Sequence, residues 1–188
     1  MIEKLNDEQW RPVAVVSKNY RILLSLVLLV PYLYLIQPDR WLPGLILVIL
    51  GETLQLWAAA NLHKDTNLAA TGPYVLVRNP MYCGRFLVIL GFLLRLNHPE
   101  FIIPAYLILF ALYVQPRVLR EEERLTRVLG ESYTEYCRQV NRWLPLRALP
   151  GGRVATWSWL AVQRNHQLLV SAVALAIQLL MWARIALL

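Results

Sequence analysis

Only two cysteines occur in this chain of 188 residues, Cys83 and Cys137, and they lie far apart. They form no metal-like spacing, and a disulfide is not expected to organise the fold. The three histidines, His63, His98 and His166, are equally scattered, so zinc or iron ligation has no cluster to start from. There is no Asn-x-Ser/Thr sequon, no internal repeat and no low-complexity tract. Charge is scarce as well: Asp, Glu, Lys and Arg make up 16% of the chain, against 57% hydrophobic residues. A soluble domain of this size needs a more heavily charged surface.

The apolar residues that fill the chain are clumped. Ile22 to Ile36, Trp41 to Leu62, Met81 to Leu96, Phe101 to Val114 and Leu168 to Leu188 are nearly free of charge. A spanning helix needs about 20 apolar residues, with a lower bound of about 17. Some of these runs reach that length only with their flanks, which predicts short or tilted helices. The polar first twenty residues, and a first run without a small-residue cleavage site, argue against a signal peptide. The expected fold class is all-α: a polytopic membrane protein with about five transmembrane helices, forming a single domain over residues 1–188.

The net charge of +7 would suit a nucleic-acid partner, but its placement argues for a membrane instead. Nine arginines from Arg117 to Arg164 fall between the fourth and fifth runs, whereas the links Gln37 to Arg40 and Asn97 to Glu100 carry one basic residue in all. By the positive-inside rule, the N-terminus, the loop before the third run and the arginine-rich segment are cytoplasmic, and the two short links lie outside. The expected location is the inner (cytoplasmic) membrane of a bacterium. The expected partners are membrane lipids, including anionic headgroups, and not nucleic acid.

Residues Met1 to Tyr20 read as a partly helical lead-in with Trp10 and Tyr20 as interfacial anchors, and Pro31 kinks the first span. After the fourth span, Arg120 to Leu129 suits a helix, with Glu123 and Arg127 in the favourable i,i+4 order. Gly130 is placed to end it in the left-handed conformation. Ser132-Tyr133-Thr134-Glu135 fits a capping box opening a second helix, whose Tyr133, Tyr136, Cys137 and Val140 share one face. This predicts a helix–turn–helix at the cytoplasmic interface. Pro150-Gly151-Gly152 divides it from the last span.

Three places carry candidate chemistry. In Thr71-Gly72-Pro73-Tyr74 the chain turns, and Asn79-Pro80 starts a helix, with Asn as cap and Pro at the first helical position. That start presents free N–H groups beside Arg78 and Arg85, a place suited to a carboxylate or phosphate. The same features also describe an ordinary membrane-helix start with snorkelling arginines. In Arg120-Glu121-Glu122-Glu123-Arg124, Glu122 shares a helical face with Leu125 and Leu129, which turns its carboxylate away from water, while Glu123 belongs to a solvated face. Glu52 stands mid-span, where an ionisable group is costly and is a functional candidate by default; the alternatives are a protonated carboxyl or a hydrogen bond to another helix.

Taken together in order, Gly72-Pro73-Tyr74, Arg78-Asn79-Pro80-Met81-Tyr82-Cys83-Gly84, Glu121-Glu122 with Leu125, Leu129-Gly130, Tyr133, Tyr136 and Arg142-Trp143-Leu144-Pro145 resemble the signature of the isoprenylcysteine carboxyl methyltransferase family. The wider group includes membrane phospholipid methyltransferases. The resemblance covers roughly residues 62–145; residues 165–188 form an additional C-terminal helix beyond it. It implies an S-adenosylmethionine-dependent methyltransferase embedded in the bilayer, with no Rossmann domain and no metal. The cofactor would enter from the cytoplasm and a lipophilic acceptor from the membrane. By the same resemblance Tyr74, Arg78, Asn79, Pro80, Tyr82, Gly84, Glu121 and Glu122 would form the cofactor pocket and Arg142 would be catalytic; Glu52, outside the resemblance, is a second catalytic candidate from its mid-span position alone. One departure stands out: the family's Arg-His-Pro reads Arg78-Asn79-Pro80 here, and Asn does not titrate. A non-catalytic membrane scaffold retaining the pocket is the rival expectation.

Overall fold

The computed structural model describes residues 35–62 and 68–187. The lead-in with Trp10 and Tyr20, nearly all of the first predicted span with Pro31, and His63 lie outside the described residues. Six helices follow in order: α1 (Trp41–Asn61), α2 (Pro80–Leu93), α3 (Pro99–Leu129), α4 (Glu131–Gln139), α5 (Trp159–Arg164) and α6 (Gln167–Ala186). Short 3-10 turns at Pro38–Arg40 and Gly72–Val75 precede α1 and α2. Among the described residues, three helical stretches are long and apolar enough to cross a membrane: Pro38–Asn61, Pro99–Leu129 and Gln167–Ala186. The third predicted span is the 14-residue α2, apolar but short. The protein is an all-α integral membrane protein.

The centre of the fold is the antiparallel pair α1–α2. On α1 the buried positions Gly44, Val48, Gly51, Gln55 and Ala58 recur at the spacing of one helical face, and on α2 Pro80, Gly84, Val88 and Gly91 do the same. Glycine meets glycine twice along the contact. A Cβ added to Gly51 would lie 2.6 Å from the Gly84 carbonyl oxygen, and one added to Gly91 would lie 2.6 Å from that of Gly44. Small residues let the two backbones touch, which is how helices associate where lipid removes the hydrophobic drive. The outward residues, Leu42, Ile46, Ile49 and Leu50, are exposed and apolar, as a lipid-facing surface requires.

The last helix docks on this pair through polar side chains. Ser171 Oγ donates to Glu52 Oε2 at 2.6 Å, and Arg95 Nη1 donates to Gln178 Oε1 at 2.7 Å. Asn165 Nδ2, just before α6, donates to the Ala59 and Leu62 carbonyls that end α1.

Three local expectations are corrected. Arg120 to Leu129 is not a separate helix: α3 runs unbroken for 31 residues through Pro104 and Pro116, because the charges that end an apolar run do not interrupt backbone hydrogen bonding. Gly130 does have a positive φ, but its ψ of −132° is not left-handed helical. It ends α3 and caps α4 at once, so the chain must swing straight into a new helix. A side chain there would meet open space, so the dihedral alone calls for glycine. Finally, α4 starts at Glu131, one residue before the expected box. Ser132 Oγ therefore donates to the Leu129 carbonyl, and Glu135 engages Arg138 and Gln139. The apolar face of α4 is as expected: Tyr133, Tyr136 and Val140 are buried with Cys137 packed against them.

Candidate functional site

The N-terminus of α2, the distal end of α3 and α4 surround a cavity of about 580 Å³. Its polar centre is Glu122. Arg142 grips this carboxylate with two bonds, Nε to Oε1 at 3.0 Å and Nη2 to Oε2 at 2.6 Å, and Arg78 Nη1 adds a third contact to Oε1 at 3.1 Å. The Glu122 side chain is only 12% exposed, so these ion pairs form where screening is weak. The bond to Glu122 raises the Arg142 pKa further and keeps that guanidinium charged. Two arginines on one carboxylate leave an excess positive charge. Arg78 Nε is buried and has no hydrogen-bond partner among the described residues.

Three tyrosines close the cavity, Tyr133 and Tyr136 from α4 and Tyr74 from the Gly72–Val75 turn. Tyr136 hydroxyl donates to the Tyr74 carbonyl at 2.7 Å, tying α4 to the Gly72–Val75 turn. Burial is the main cause that pushes the Tyr74, Tyr133 and Tyr136 hydroxyls well above the ordinary phenol pKa, with the Glu121 charge adding at Tyr74. They remain protonated donors throughout the physiological range.

A strap of chain after α4 holds the turn and the start of α2. The Arg78 N–H donates to the Asn141 carbonyl at 2.9 Å, Leu149 N–H to the Val75 carbonyl at 2.9 Å, and Gly72 N–H to the Arg153 carbonyl at 2.8 Å. Asn61, buried at the end of α1, bonds Thr71 and Thr156 and so pins turn and strap together. Gly72, at φ +59°, packs directly on the Asn61 amide, where a side chain has neither room nor a favourable dihedral.

Seven of the eight expected pocket residues line the cavity: Tyr74, Arg78, Asn79, Pro80, Tyr82, Glu121 and Glu122. Gly84 does not; it faces Gly51 of α1. Arg142 stands behind the lining and reaches Glu122. Glu52 lies outside the lining, in its hydrogen bond with Ser171. Asn79 occupies the N-cap position with Pro80 first in the helix, yet its side chain makes no cap bond. The Tyr82 N–H is already taken by the Asn79 backbone carbonyl at 3.1 Å, and the amide instead reaches the Arg142 carbonyl at 3.5 Å. Arg85, named in the sequence beside Arg78 at this helix start, also lines the cavity, whereas sequence reasoning gave Arg124 and Leu68 no such place. Tyr133 and Tyr136 were visible in the signature and in the face of α4.

A second cleft of about 470 Å³ opens between α2 and α3, walled by Phe86, Leu107, Phe110, Val114, Trp143 and Leu144. Tyr82 lines both this apolar cleft and the polar cavity.

Residues 39–132, half of the chain and the segment that supplies α1, α2, α3 and the carboxylates, match the phospholipid methyltransferase family. The chain belongs to that family. Among similar proteins, the cobalt-zinc-cadmium resistance protein CzcN of Cupriavidus metallidurans is 31% identical over 61% of this chain and 53% of its own length. Protein-S-isoprenylcysteine O-methyltransferase of Tribolium castaneum is 32% identical over 56% of this chain and 42% of its own. The enzyme of that name from Schizosaccharomyces pombe is 30% identical over 57% and 45%. The chain spans about half the length of the curated relatives it matches. No solved structure matches it.

Proposed function

We propose that this phospholipid methyltransferase family member transfers a methyl group from S-adenosylmethionine to a lipophilic acceptor held in the membrane. The observation that carries this reading is the meeting of two unlike cavities at Tyr82: one lined by ion pairs, the other apolar and walled by two membrane helices. The polar cavity fits a zwitterionic cofactor. The unsatisfied Arg78 Nε suits a carboxylate, Glu121 suits an ammonium group, and Leu125 and Leu129 provide an apolar wall for a nucleobase. When bound, S-adenosylmethionine supplies a methyl group on a positively charged sulfur, open to in-line attack by an acceptor heteroatom.

The chain's own residues orient and dehydrate. Arg142 acts in this reading by fixing both oxygens of Glu122, so that the cavity keeps its shape when Arg78 turns to a ligand. Glu52 serves the association of α1 with α6. The protonated tyrosines offer hydrogen bonds without adding a second anion. Phe86, Phe110 and Trp143 exclude water from the acceptor side, where attack on a cation proceeds more readily than in water. Alignment of donor and acceptor alone contributes several kcal/mol to such a reaction. The family's description and the names of its isoprenylcysteine methyltransferase relatives both point to amphiphilic acceptors. The arginine excess supports a cavity that faces the cytoplasm of a bacterial inner membrane.

The test is transfer of radiolabelled methyl from S-adenosylmethionine by the purified protein into lipid and small-molecule extracts of the source cell. Label in one apolar product class, absent with Glu122→Gln, is the expected result. Cofactor binding with no transfer to any extract would put the scaffold reading in its place.

A further inference from the structure

After Glu135 the sequence contains no Asp or Glu through Leu188. Within that acid-free stretch the strap between α4 and α6 carries Arg142, Arg147, Arg153 and Arg164. Arg142 is committed to Glu122. The other three are exposed and make no ion pair among the described residues. Interleaved with them is an apolar surface: Leu144, Leu146, Val154, Trp157, Trp159 and Leu160 are each at least 40% exposed. The Trp157 and Trp159 rings pack edge to face, 5.2 Å apart, on this outer side. The inner side is already taken by the bonds to Val75, Gly72 and Asn61, so the strap cannot turn over to bury either its charges or its rings.

We propose that this strap is a binding surface for anionic lipid headgroups. Its ends fix its depth, since it leaves α4 and re-enters the bilayer as α6. Tryptophan and leucine at that level partition into the interface, and unpaired arginines beside them attract negative lipid, at roughly a fivefold gain in association per residue. A neutral headgroup would leave three guanidinium groups uncompensated. The charge complement therefore selects phosphatidylglycerol-like lipid over phosphatidylcholine. This surface is separate from the cofactor cavity and does not depend on the proposed reaction.

The experiment uses the whole protein in bilayer vesicles containing spin-labelled phosphatidylglycerol or spin-labelled phosphatidylcholine, and reads the fraction of label immobilised by the protein. The expected result is a several-fold preference for phosphatidylglycerol that falls with added salt. Arg147→Gln/Arg153→Gln/Arg164→Gln should bring the preference close to one. Arg127→Gln, a change of charge on an exposed residue of α3, should leave most of it in place. Because the three strap arginines are exposed, the triple variant should melt at the parent temperature, and that measurement accompanies the lipid assay. No preference in the parent, or an undiminished preference in the triple variant, would overturn the proposal and give the basic strap to an acidic protein partner instead.

Discussion

The two ends of α2 each meet an arginine, and the arginines are treated differently. At the end near the cavity, Arg78 shares the Glu122 carboxylate with Arg142. At the other end Arg95 is wholly buried, bonds Gln178 Oε1 and Met181 Sδ of α6, and lies 4.3 Å over the Trp41 ring. A carboxylate held by two cations can give up one of them to an incoming ligand and remain paired. A guanidinium enclosed by side chains of three helical segments has nowhere to turn. The first arrangement suits exchange and the second suits a permanent joint between the family's helices and the C-terminal one.

Breaking each end separately sharpens the contrast. Glu122→Gln should have the largest effect. Losing a charged acceptor of this kind removes up to about 3 kcal/mol, so S-adenosylmethionine affinity measured by calorimetry should fall by as much as about 100-fold. Glu123→Gln, on the exposed side of the same helix, should bind as the parent does. Equal binding by both variants would remove Glu122 from the site.

Gln178→Leu comes next. It takes an acceptor from a buried guanidinium, which should lower stability by about 1.5–3 kcal/mol in thermal unfolding while leaving cofactor affinity within about twofold. The double variant Arg95→Met/Gln178→Leu should recover much of the loss, since an apolar pair of similar size can replace a buried polar one. A large drop in cofactor affinity with Gln178→Leu would mean that the two ends are not independent.

Gly51→Ala tests the joint between them. Its Cβ would press on the Gly84 carbonyl, which is backbone and cannot rotate away, so a loss of about 1–3 kcal/mol is expected. Parent-like melting would show that α1 and α2 separate readily.

Asn79→Ala should have the smallest effect, under about 0.5 kcal/mol in unfolding, because its one side-chain hydrogen bond among the described residues, at 3.5 Å, is at the limit of such a bond. A cost above about 1 kcal/mol would mean that the amide caps α2 after all.

The helices and the residues around Glu122 were legible in the sequence because their signals are local. Apolar runs mark spans, and the three- and seven-residue spacing of Glu122 from Leu125 and Leu129 marks the face it shares. The contact of Gly84 with Gly51 was not legible, because a glycine in a helix reads the same whether it faces a ligand or another glycine. The strap left no periodic trace. Its bonds from Asn141 to Arg78 and from Arg153 to Gly72 join residues distant in sequence, and they use backbone atoms that every residue carries. The apolar cleft between α2 and α3 is walled largely by phenylalanine, leucine and other apolar residues that any lipid-facing helix contains.

The length of α3 has a mechanical consequence. Its 31 residues extend about 46 Å at about 1.5 Å each, beyond the hydrocarbon thickness of about 30 Å, so its charged turns from Arg117 onward stand clear of the lipid chains. Its partner across the cavity, α2, has 14 residues and extends about 21 Å. The long helix therefore projects from the bilayer as a post, whereas the short one is fastened to α1 by touching backbones and does not reach so far. Glu122 stands on the projecting part of α3, where it meets Arg78 just before α2. The excess length of α3 thus carries the carboxylate past the lipid chains to the level of Arg142 and the strap.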